Sequence, residues 1–439
     1  MSEQLKILST YLKSKYFTKF QNREELEKWQ DKKMRKFLRE IVPKSSFYQK
    51  YYEGASYDNW RELPIIDKGM MMENFDTFNT VGIKKEEAFQ VAYTAENTRD
   101  FTPKIGDITI GLSSGTSGNR GIFLVSREER IKWAGNILAK CLPEVIWKEQ
   151  RIAFFLRANS NLYDTVDKGK IQFQFFDLLD ELDRHVERLN TYRPSILVAP
   201  PSMLLLLAKK IRETNLHIDP KKIISVAEVL DPLDEKVLEN IFKQKIHQVY
   251  QCTEGFLATT CEHGTLHLNE DLLIIQKEYL DKDLGKFIPI ISDFSRSSQP
   301  IIRYRLNDIL TEKKTFCPCG NPFTALEQIE GRSDDLFYFK KKDREKYIPI
   351  FPDFIRRTII VASEKIKQYT VTQLQVDLIE VFIEANDEHK KIIEKNIEIN
   401  FKMLCDKLDC VMPKIRYVNT MNRDYGKKLR RIQRKFEIC

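Results

Sequence analysis

What the sequence lacks excludes several classes of protein. No apolar run is long enough to span a bilayer: the longest, Ser195 to Ala208, contains two prolines and falls short of the ~18–20 uninterrupted apolar residues required. The opening residues, MSEQLKILSTYLKSKYF, have neither the apolar core nor the small-residue cleavage site of a secretory signal, so the chain is expected to stay in the cytoplasm, with no membrane partner. The eight cysteines form no repeating framework and read as reduced thiols and metal ligands rather than disulfides. Charge of one sign is not in large excess either. Lys plus Arg is 72 against 64 for Asp plus Glu, and the net +8 suits a nucleotide, a phosphate or an acidic partner without forming the stripe of a dedicated nucleic-acid binder. A His-Glu-x-x-His helix and the kinase signatures are missing. His185, His217, His247 and His389 stand alone and read as structural or solvent-facing.

The chain has 439 residues, 42% of them hydrophobic, enough for two or three cores at roughly 100–200 residues per domain. Residues 1–95 carry helical spacing, as in Leu26, Trp29, Met34, Phe37, Leu38 and Ile41. From 150 to 255, strand-like runs (Ile152–Leu156, Ile171–Leu179, Ile196–Ala199, Ile223–Leu230, Val249–Cys252) alternate with helical segments over 181–192, 202–214 and 233–244. That alternation predicts a parallel α/β layer with its ligand beyond the strand C-termini. After Gly331 the pattern changes to strands at 336–340 and 371–384, a charged helix over 387–408 and a strand at 414–419, a small α+β domain.

One stretch stands out: Leu112-Ser-Ser-Gly-Thr-Ser-Gly-Asn-Arg-Gly121, between the apolar runs 108–110 and 122–125. Its glycines permit close backbone approach, Ser113, Ser114, Thr116 and Ser117 add hydroxyls, and Arg120 adds charge, which together suit phosphate oxygens. No Gly-Lys-Ser/Thr ends it, so it is not a Walker loop. A flexible hairpin turn is the alternative reading.

This loop resembles the phosphate-binding loop of the adenylate-forming superfamily, in the branch of phenylacetate-CoA ligase and the deazaflavin-coenzyme adenylylating synthetase. Four further segments match in order: Tyr250-Gln-Cys-Thr-Glu-Gly255, Ile302-Arg-Tyr-Arg-Leu-Asn-Asp308, Gly331-Arg-Ser-Asp-Asp335 and Gly426-Lys427. The resemblance implies a large N-terminal α/β domain over 1–333 and a small mobile α+β domain over 334–439. It implies that Ser113, Ser114, Gly115, Thr116, Ser117, Gly118 and Arg120 hold phosphates, that Thr253 contacts the α-phosphate, that Glu254 binds Mg²⁺ and that Tyr250 lies near the adenine. By the same resemblance Asp308 accepts both ribose hydroxyls, Arg332 reaches the ribose or phosphate side, Asp334 is the hinge, and Lys427 joins the substrate carboxylate to the α-phosphate. Each segment also has a plainer reading. Thr253-Glu254 would then start a helix, Arg303 and Arg305 would be solvated strand residues, and Lys427 would be one charge in a basic tail.

A second constellation is Cys261-Glu-His-Gly-Thr-Leu-His267 with Cys317-Pro-Cys319-Gly320 downstream. Three Cys and one His, Cys261, His267, Cys317 and Cys319, form a common structural zinc set, although Cys-x-Cys is tighter than the usual Cys-x₂-Cys. His263 is the alternative to His267, and four unligated turn residues are the alternative to a metal.

The resemblance to the adenylate-forming superfamily implies formation of an acyl-adenylate from ATP and a small carboxylic acid, followed by transfer to a thiol, either coenzyme A or an acyl carrier protein. The acyl pocket is expected between Arg157–Leu162, Ser225–Glu228 and Phe256. One departure bears on the acceptor. Where relatives carry a glycine turn facing the thiol, this chain reads Leu336-Phe-Tyr-Phe-Lys-Lys-Lys-Asp-Arg-Glu-Lys346. AMP transfer to a hydroxyl is therefore the alternative within the family, and nucleic-acid binding through the tail 423–435 the alternative outside it.

Overall fold

The computed structural model of the chain describes residues 2–98, 102–113, 121–156, 169–332, 335–342, 346–421 and 430–436, and for Asp353 the backbone alone. It divides into two compact units. One comprises Met1–Leu230, Asp234–Leu306 and Thr311–Gln328; the other comprises Asp231–Leu233, Asn307–Leu310 and Ile329–Cys439. The main segment of the second unit begins at Ile329, and the residues at the expected 333/334 boundary lie outside the described residues.

The first unit is built on the parallel strands read from the sequence. Gln150–Leu156 pairs in parallel with Ile171–Asp177 and with Ile196–Ala199, which in turn pairs with Lys222–Ser225 and so to Ile246–Cys252. The inner strands, such as Ile196–Ala199, are rich in apolar residues because both faces are covered. Ala153, Phe155, Leu197 and Ile223 meet the helices Leu182–Tyr192 and Pro201–Arg212 on one face. Ile152, Phe154, Ile196, Val198 and Ile224 meet Glu3–Leu12 and Arg127–Cys141 on the other. The prolines that interrupt the longest apolar run are its punctuation: Pro200 caps, and Pro201 begins, the helix that follows Ile196–Ala199. Among the described residues, no helix is long and apolar enough to cross a membrane.

Beyond Cys252 the pairing becomes antiparallel, through Gly255–Thr260 and Leu266–Leu268, with Ile274–Asp281, Lys286–Asp293 and Ile301–Arg305 forming a further antiparallel array. A separate three-stranded antiparallel sheet, Lys104–Ile105, Ile108–Leu112 and Ile122–Val125, packs on the helix Lys85–Thr98 and carries the Ser/Gly loop.

The second unit has the expected α+β character. The 371–384 region is two strands, Gln368–Gln375 and Leu378–Glu384, paired antiparallel. Lys414–Val418 and Ile432–Arg434 add in parallel at the two sides, and the helices Pro352–Ile360 and Asp387–Lys407 close the core. The strand Phe337–Lys340, in the charged 336–346 stretch, pairs antiparallel with Tyr347–Ile350. The tail does not behave as a solvated basic run where it is described. Arg434 Nε donates to the Leu336 carbonyl at 2.9 Å, Arg430 pairs with Asp335, and Arg431 lies over the Tyr369 ring at 5.0 Å. These contacts engage Arg430, Arg431 and Arg434 inside the unit.

Candidate functional site

The Ser/Gly loop leaves and re-enters its sheet through a closed neck. The flanking strands pair as far as Leu112 opposite Ile122; then the Ser113 amide donates to the Gly121 carbonyl at 2.8 Å and the Gly121 amide to Ser113 Oγ at 2.7 Å. Ser114, Gly115, Thr116, Ser117, Gly118 and Arg120 lie outside the described residues. Gln299 holds the returning strand, accepting from the Leu124 amide at 2.9 Å and donating to the Ile122 carbonyl at 3.1 Å.

Thr253 and Glu254 are not a helix start. They are the two-residue turn of the hairpin between Ile246–Cys252 and Gly255–Thr260, where Cys252 pairs with Gly255. A register shift at Tyr250/Gln251 bends the strand just before the turn, a common device beside a site. Both Glu254 oxygens are oriented by hydroxyls: Oε2 accepts from Thr253 Oγ1 at 2.8 Å and Oε1 from the Tyr304 hydroxyl at 3.0 Å. Burial, and then the neighbouring Glu254 carboxylate, push the Tyr304 pKa far up, so Tyr304 stays a protonated donor. Among the described residues no cation pairs with Glu254, which leaves a half-buried hard-oxygen donor of the kind that Mg²⁺ takes.

Arg296 joins the two features. Its Nη1 donates to the Thr253 carbonyl at 2.9 Å and its Nη2 to the Leu124 carbonyl at 3.0 Å, so one buried guanidinium ties the Thr-Glu turn to the strand leaving the Ser/Gly loop. Glu129 supports it. It closes the capping box of the helix Arg127–Cys141 and accepts from the Ser298 amide at 2.9 Å. Burial would raise its pKa; Arg296 and the serine donors outweigh this and hold it below the usual carboxylate range. Glu129, Arg296, Gln299 and Tyr304 were not singled out as site residues by the sequence. Only Tyr304 had a signal there, since it sits inside the Arg-Tyr-Arg segment.

Arg303 and Arg305 both have partners within the fold. Arg303 is buried at φ 47°, donates from its amide to Ser292 Oγ at 2.9 Å and from its side chain to the Leu63 carbonyl. Arg305 makes a two-pronged pair with Glu278 at 2.7 and 2.9 Å. Asp308 opens the strand Asp308–Glu312 and Arg332 ends Ala325–Arg332, both half-buried and both in the second unit. Asp334 and Lys427 lie outside the described residues, as does Arg157–Leu162 of the expected acyl pocket. Of the rest of that pocket, Phe256 and Ser225 are buried and Glu228 accepts from the Ser202 amide and hydroxyl at 3.2 and 3.1 Å.

The thiol and imidazole set is brought together. The ligand atoms of Cys261, His267, Cys317 and Cys319 lie within 4.8 Å of one another, with Cys261 Sγ to Cys317 Sγ 3.6 Å and Cys319 Sγ to His267 Nε2 3.4 Å. A tetrahedron with Zn–S of about 2.3 Å and Zn–N of about 2.0 Å has edges of about 3.4–3.8 Å, so the donor set fits that ion. His267 Nδ1 faces the Phe323 carbonyl at 3.3 Å, which turns Nε2 toward the thiols. His263 is outside the group.

Comparison with known proteins follows the same lines. No family model matches the chain. It is 24% identical over 370 residues to the indoleacetate–lysine synthetase of Pseudomonas savastanoi, across 78% of this chain and 81% of that protein. The structure of 2-hydroxyisobutyryl-CoA ligase in the postadenylation state with 2-HIB-AMP superposes with a TM-score of 0.70 at 16% identity, covering 94% of this chain and 90% of that one. The same ligase in an open conformation with 2-HIB-AMP and CoA gives 0.59 at 17% identity, over 93% and 91%. The amide bond synthetase McbA from Marinactinospora thermotolerans gives 0.50 at 12% identity, over 73% and 66%. What these structures share with the chain is the fold, a large α/β part followed by a smaller α+β part.

Proposed function

We propose that this chain, an adenylate-forming ligase by fold, activates a small carboxylic acid with ATP and passes the acyl group to an acceptor. The observation that carries the reading is the Thr253-Glu254 turn, oriented by Tyr304 and tied through Arg296 to the strand leaving the Ser/Gly loop. An acceptor of phosphate oxygens and a carboxylate for their counter-ion thus share one rigid frame, as phosphoryl chemistry needs.

In this reading a carboxylate oxygen attacks the α-phosphorus, the bond to the bridging oxygen of the β-phosphate breaks, and pyrophosphate leaves with its electron pair. Ser113 and the loop behind it hold the phosphates. Thr253 turns its hydroxyl from Glu254 to the α-phosphate, Tyr250 lies toward the adenine, and Asp308 accepts the ribose hydroxyls with Arg332 nearby. Lys427 brings the two anionic reactants together, and rotation at Asp334 separates the two half-reactions. Mg²⁺, held by Glu254, neutralises charge on the phosphates when bound. Tyr304 keeps that carboxylate in place through its hydrogen bond.

Coenzyme A or a carrier-protein thiol is the acceptor on the reading from the motifs. An amine acceptor is the second reading, because the curated relative is named for joining indoleacetate to lysine. Pyrophosphate release with Mg-ATP across a panel of aryl, amino, hydroxy and fatty acids tests the first step. Adding coenzyme A or lysine to the active acid then identifies the acceptor. No release with any acid, together with no ATP binding, overturns the reading.

Asp308→Ala is expected to raise the apparent ATP constant at least roughly tenfold, since a hydrogen bond to a charged group is worth about 1.5–3 kcal/mol. ATP titrations of the correctly folded variant check this. An unchanged constant removes Asp308 from the ribose site.

The Cys261, His267, Cys317 and Cys319 set is proposed to hold a structural zinc. Four protein donors leave no open position, and none belongs to the nucleotide motifs. Protein purified without chelators should carry about one zinc per chain. Cys317→Ser should lose the metal and lower Tm by on the order of 10 °C, because metal binding is coupled to folding. The ATP constant of the remaining folded protein should not move. A metal-free wild type of unchanged Tm refutes the zinc.

A further inference from the structure

We infer that Lys68 is a second phosphate-binding cation of the nucleotide site, delivered by a strap from the N-terminal helical region. The inference rests on the adenylation reading above and goes beyond its motifs, none of which includes this residue.

Two observations converge on the neck of the Ser/Gly loop. Lys68 Nζ donates to Ser113 Oγ at 3.3 Å, the same oxygen that receives the Gly121 amide at 2.7 Å. On the other strand of the neck, a Cβ added to Gly121 would meet Lys68 Cε at 2.9 Å and Ser113 Oγ at 3.5 Å. The absence of a side chain at 121 therefore leaves the space through which the lysine stem reaches Ser113. Lys68 is half-buried, so its ammonium is neither a freely solvated charge nor one withdrawn from ligands.

The strap that carries it is held along its length. Ile66 forms a parallel bridge with Tyr304: its amide donates to the Arg303 carbonyl at 3.1 Å, and its carbonyl accepts from the Arg305 amide at 2.8 Å. Upstream, Arg303 reaches back to the Leu63 carbonyl and Tyr51 donates to the Ile65 carbonyl at 3.1 Å. This is a rigid mount for the lysine. Its anchor is the strand whose Tyr304 orients Glu254, so the lysine and the metal-binding carboxylate are set by one piece of backbone.

A lysine placed at the neck of a phosphate loop attracts the most highly charged part of the ligand as a point charge. On ATP that part is the β- and γ-phosphates, and after reaction it is the leaving pyrophosphate. AMP and the acyl-adenylate carry only the α-phosphate, so Lys68 should discriminate between the two pairs. It lowers the free energy of the triphosphate complex and of the charge growing on the departing group, and leaves the adenylate unaffected.

The test compares affinities for four ligands, ATP, pyrophosphate, AMP and a non-hydrolysable acyl-adenylate analogue, in wild type and Lys68→Met, which keeps the stem and removes the charge. The expected result is a loss of on the order of tenfold or more for ATP and pyrophosphate and less than about twofold for AMP and the analogue, with Lys68→Arg recovering part of the loss. Equal losses for ATP and AMP would make Lys68 a structural residue, and no loss for either would remove it from the site. Each outcome overturns the inference. Should Lys68→Met fail to fold, labelling of wild-type lysines by an amine-reactive reagent answers the same question. Lys68 should be protected by ATP and by pyrophosphate but not by AMP, and protection by AMP as well, or by none, refutes it. Wild type that binds no ATP at all is a failure of the adenylation reading, which the pyrophosphate-release panel detects separately.

Discussion

Glu254→Gln should reduce pyrophosphate release by on the order of 10³, the scale of losing a preorganised group that stabilises developing charge together with part of a metal's effect. The substitution is nearly isosteric and retains one acceptor oxygen, so the turn can still take a hydrogen bond from Tyr304 or Thr253, and Tm should change little. The loss should appear in the Mg²⁺ requirement as well as in the rate, since an amide is a poorer ligand than a carboxylate for a hard cation. Tyr304→Phe provides the graded comparison. It removes the hydroxyl that orients Oε1 at 3.0 Å and leaves the carboxylate, so the effect should be smaller, roughly tenfold, with the same shift toward higher Mg²⁺. Initial rates at a series of Mg²⁺ concentrations measure both. A Glu254→Gln enzyme with wild-type Mg²⁺ dependence would mean that this carboxylate is not the metal's ligand.

The second large effect concerns Lys427. In adenylation a carboxylate approaches an already anionic triphosphate, and a cation bridging the two lowers the barrier where that charge converges. Lys427→Ala is expected to cut pyrophosphate release by on the order of 10²–10³. Consumption of a chemically supplied acyl-adenylate should remain close to wild type, because after rotation about Asp334 the lysine serves no reacting atom. Lys428→Ala is the control for a simple basic run. Equal and small effects of the two substitutions on pyrophosphate release return Lys427 to the tail.

The two lysines differ in what marks them in the chain. Lys427 was legible because Gly426-Lys427 falls last in an ordered series of segments. Lys68 lies in Leu63-Pro-Ile-Ile-Asp-Lys68, where nothing local marks it out from the other lysines, and it acquires a role only when the strap pairs with Ile301–Arg305. Arg296 and Glu129 are hidden for the same reason. Each looks like a surface charge in its own segment, and each is buried by partners far along the chain.

Secondary structure was most legible where burial is uniform. Ile196–Ala199 is apolar and buried on both faces, and the prolines at 200 and 201 mark where this strand hands over to a helix. The antiparallel half was less so. In Lys286–Asp293 all eight residues are buried, including a lysine and an aspartate, so neither alternation nor an unbroken apolar run announces a strand. Burial, offset only in part by the Ser295 donors, pushes the Asp293 pKa up.

By itself, the sequence determined what depends on neighbours in the chain: the helix and strand periods, the Ser/Gly loop between two apolar runs, the order of the nucleotide segments, and the paired Cys-x-Cys. Tertiary structure decided what depends on distant partners. It made Thr253-Glu254 a hairpin turn rather than a helix start, chose His267 over His263 for the thiol cluster, and drew the described end of the basic tail into a sheet. It also brought Lys68 to the neck of the loop and Arg296 between loop and turn. The physical reason is that periodicity and turn chemistry act over a few residues. The energy of a buried charge or a metal donor is set by the groups that surround it in space, and those are known only once the chain has folded.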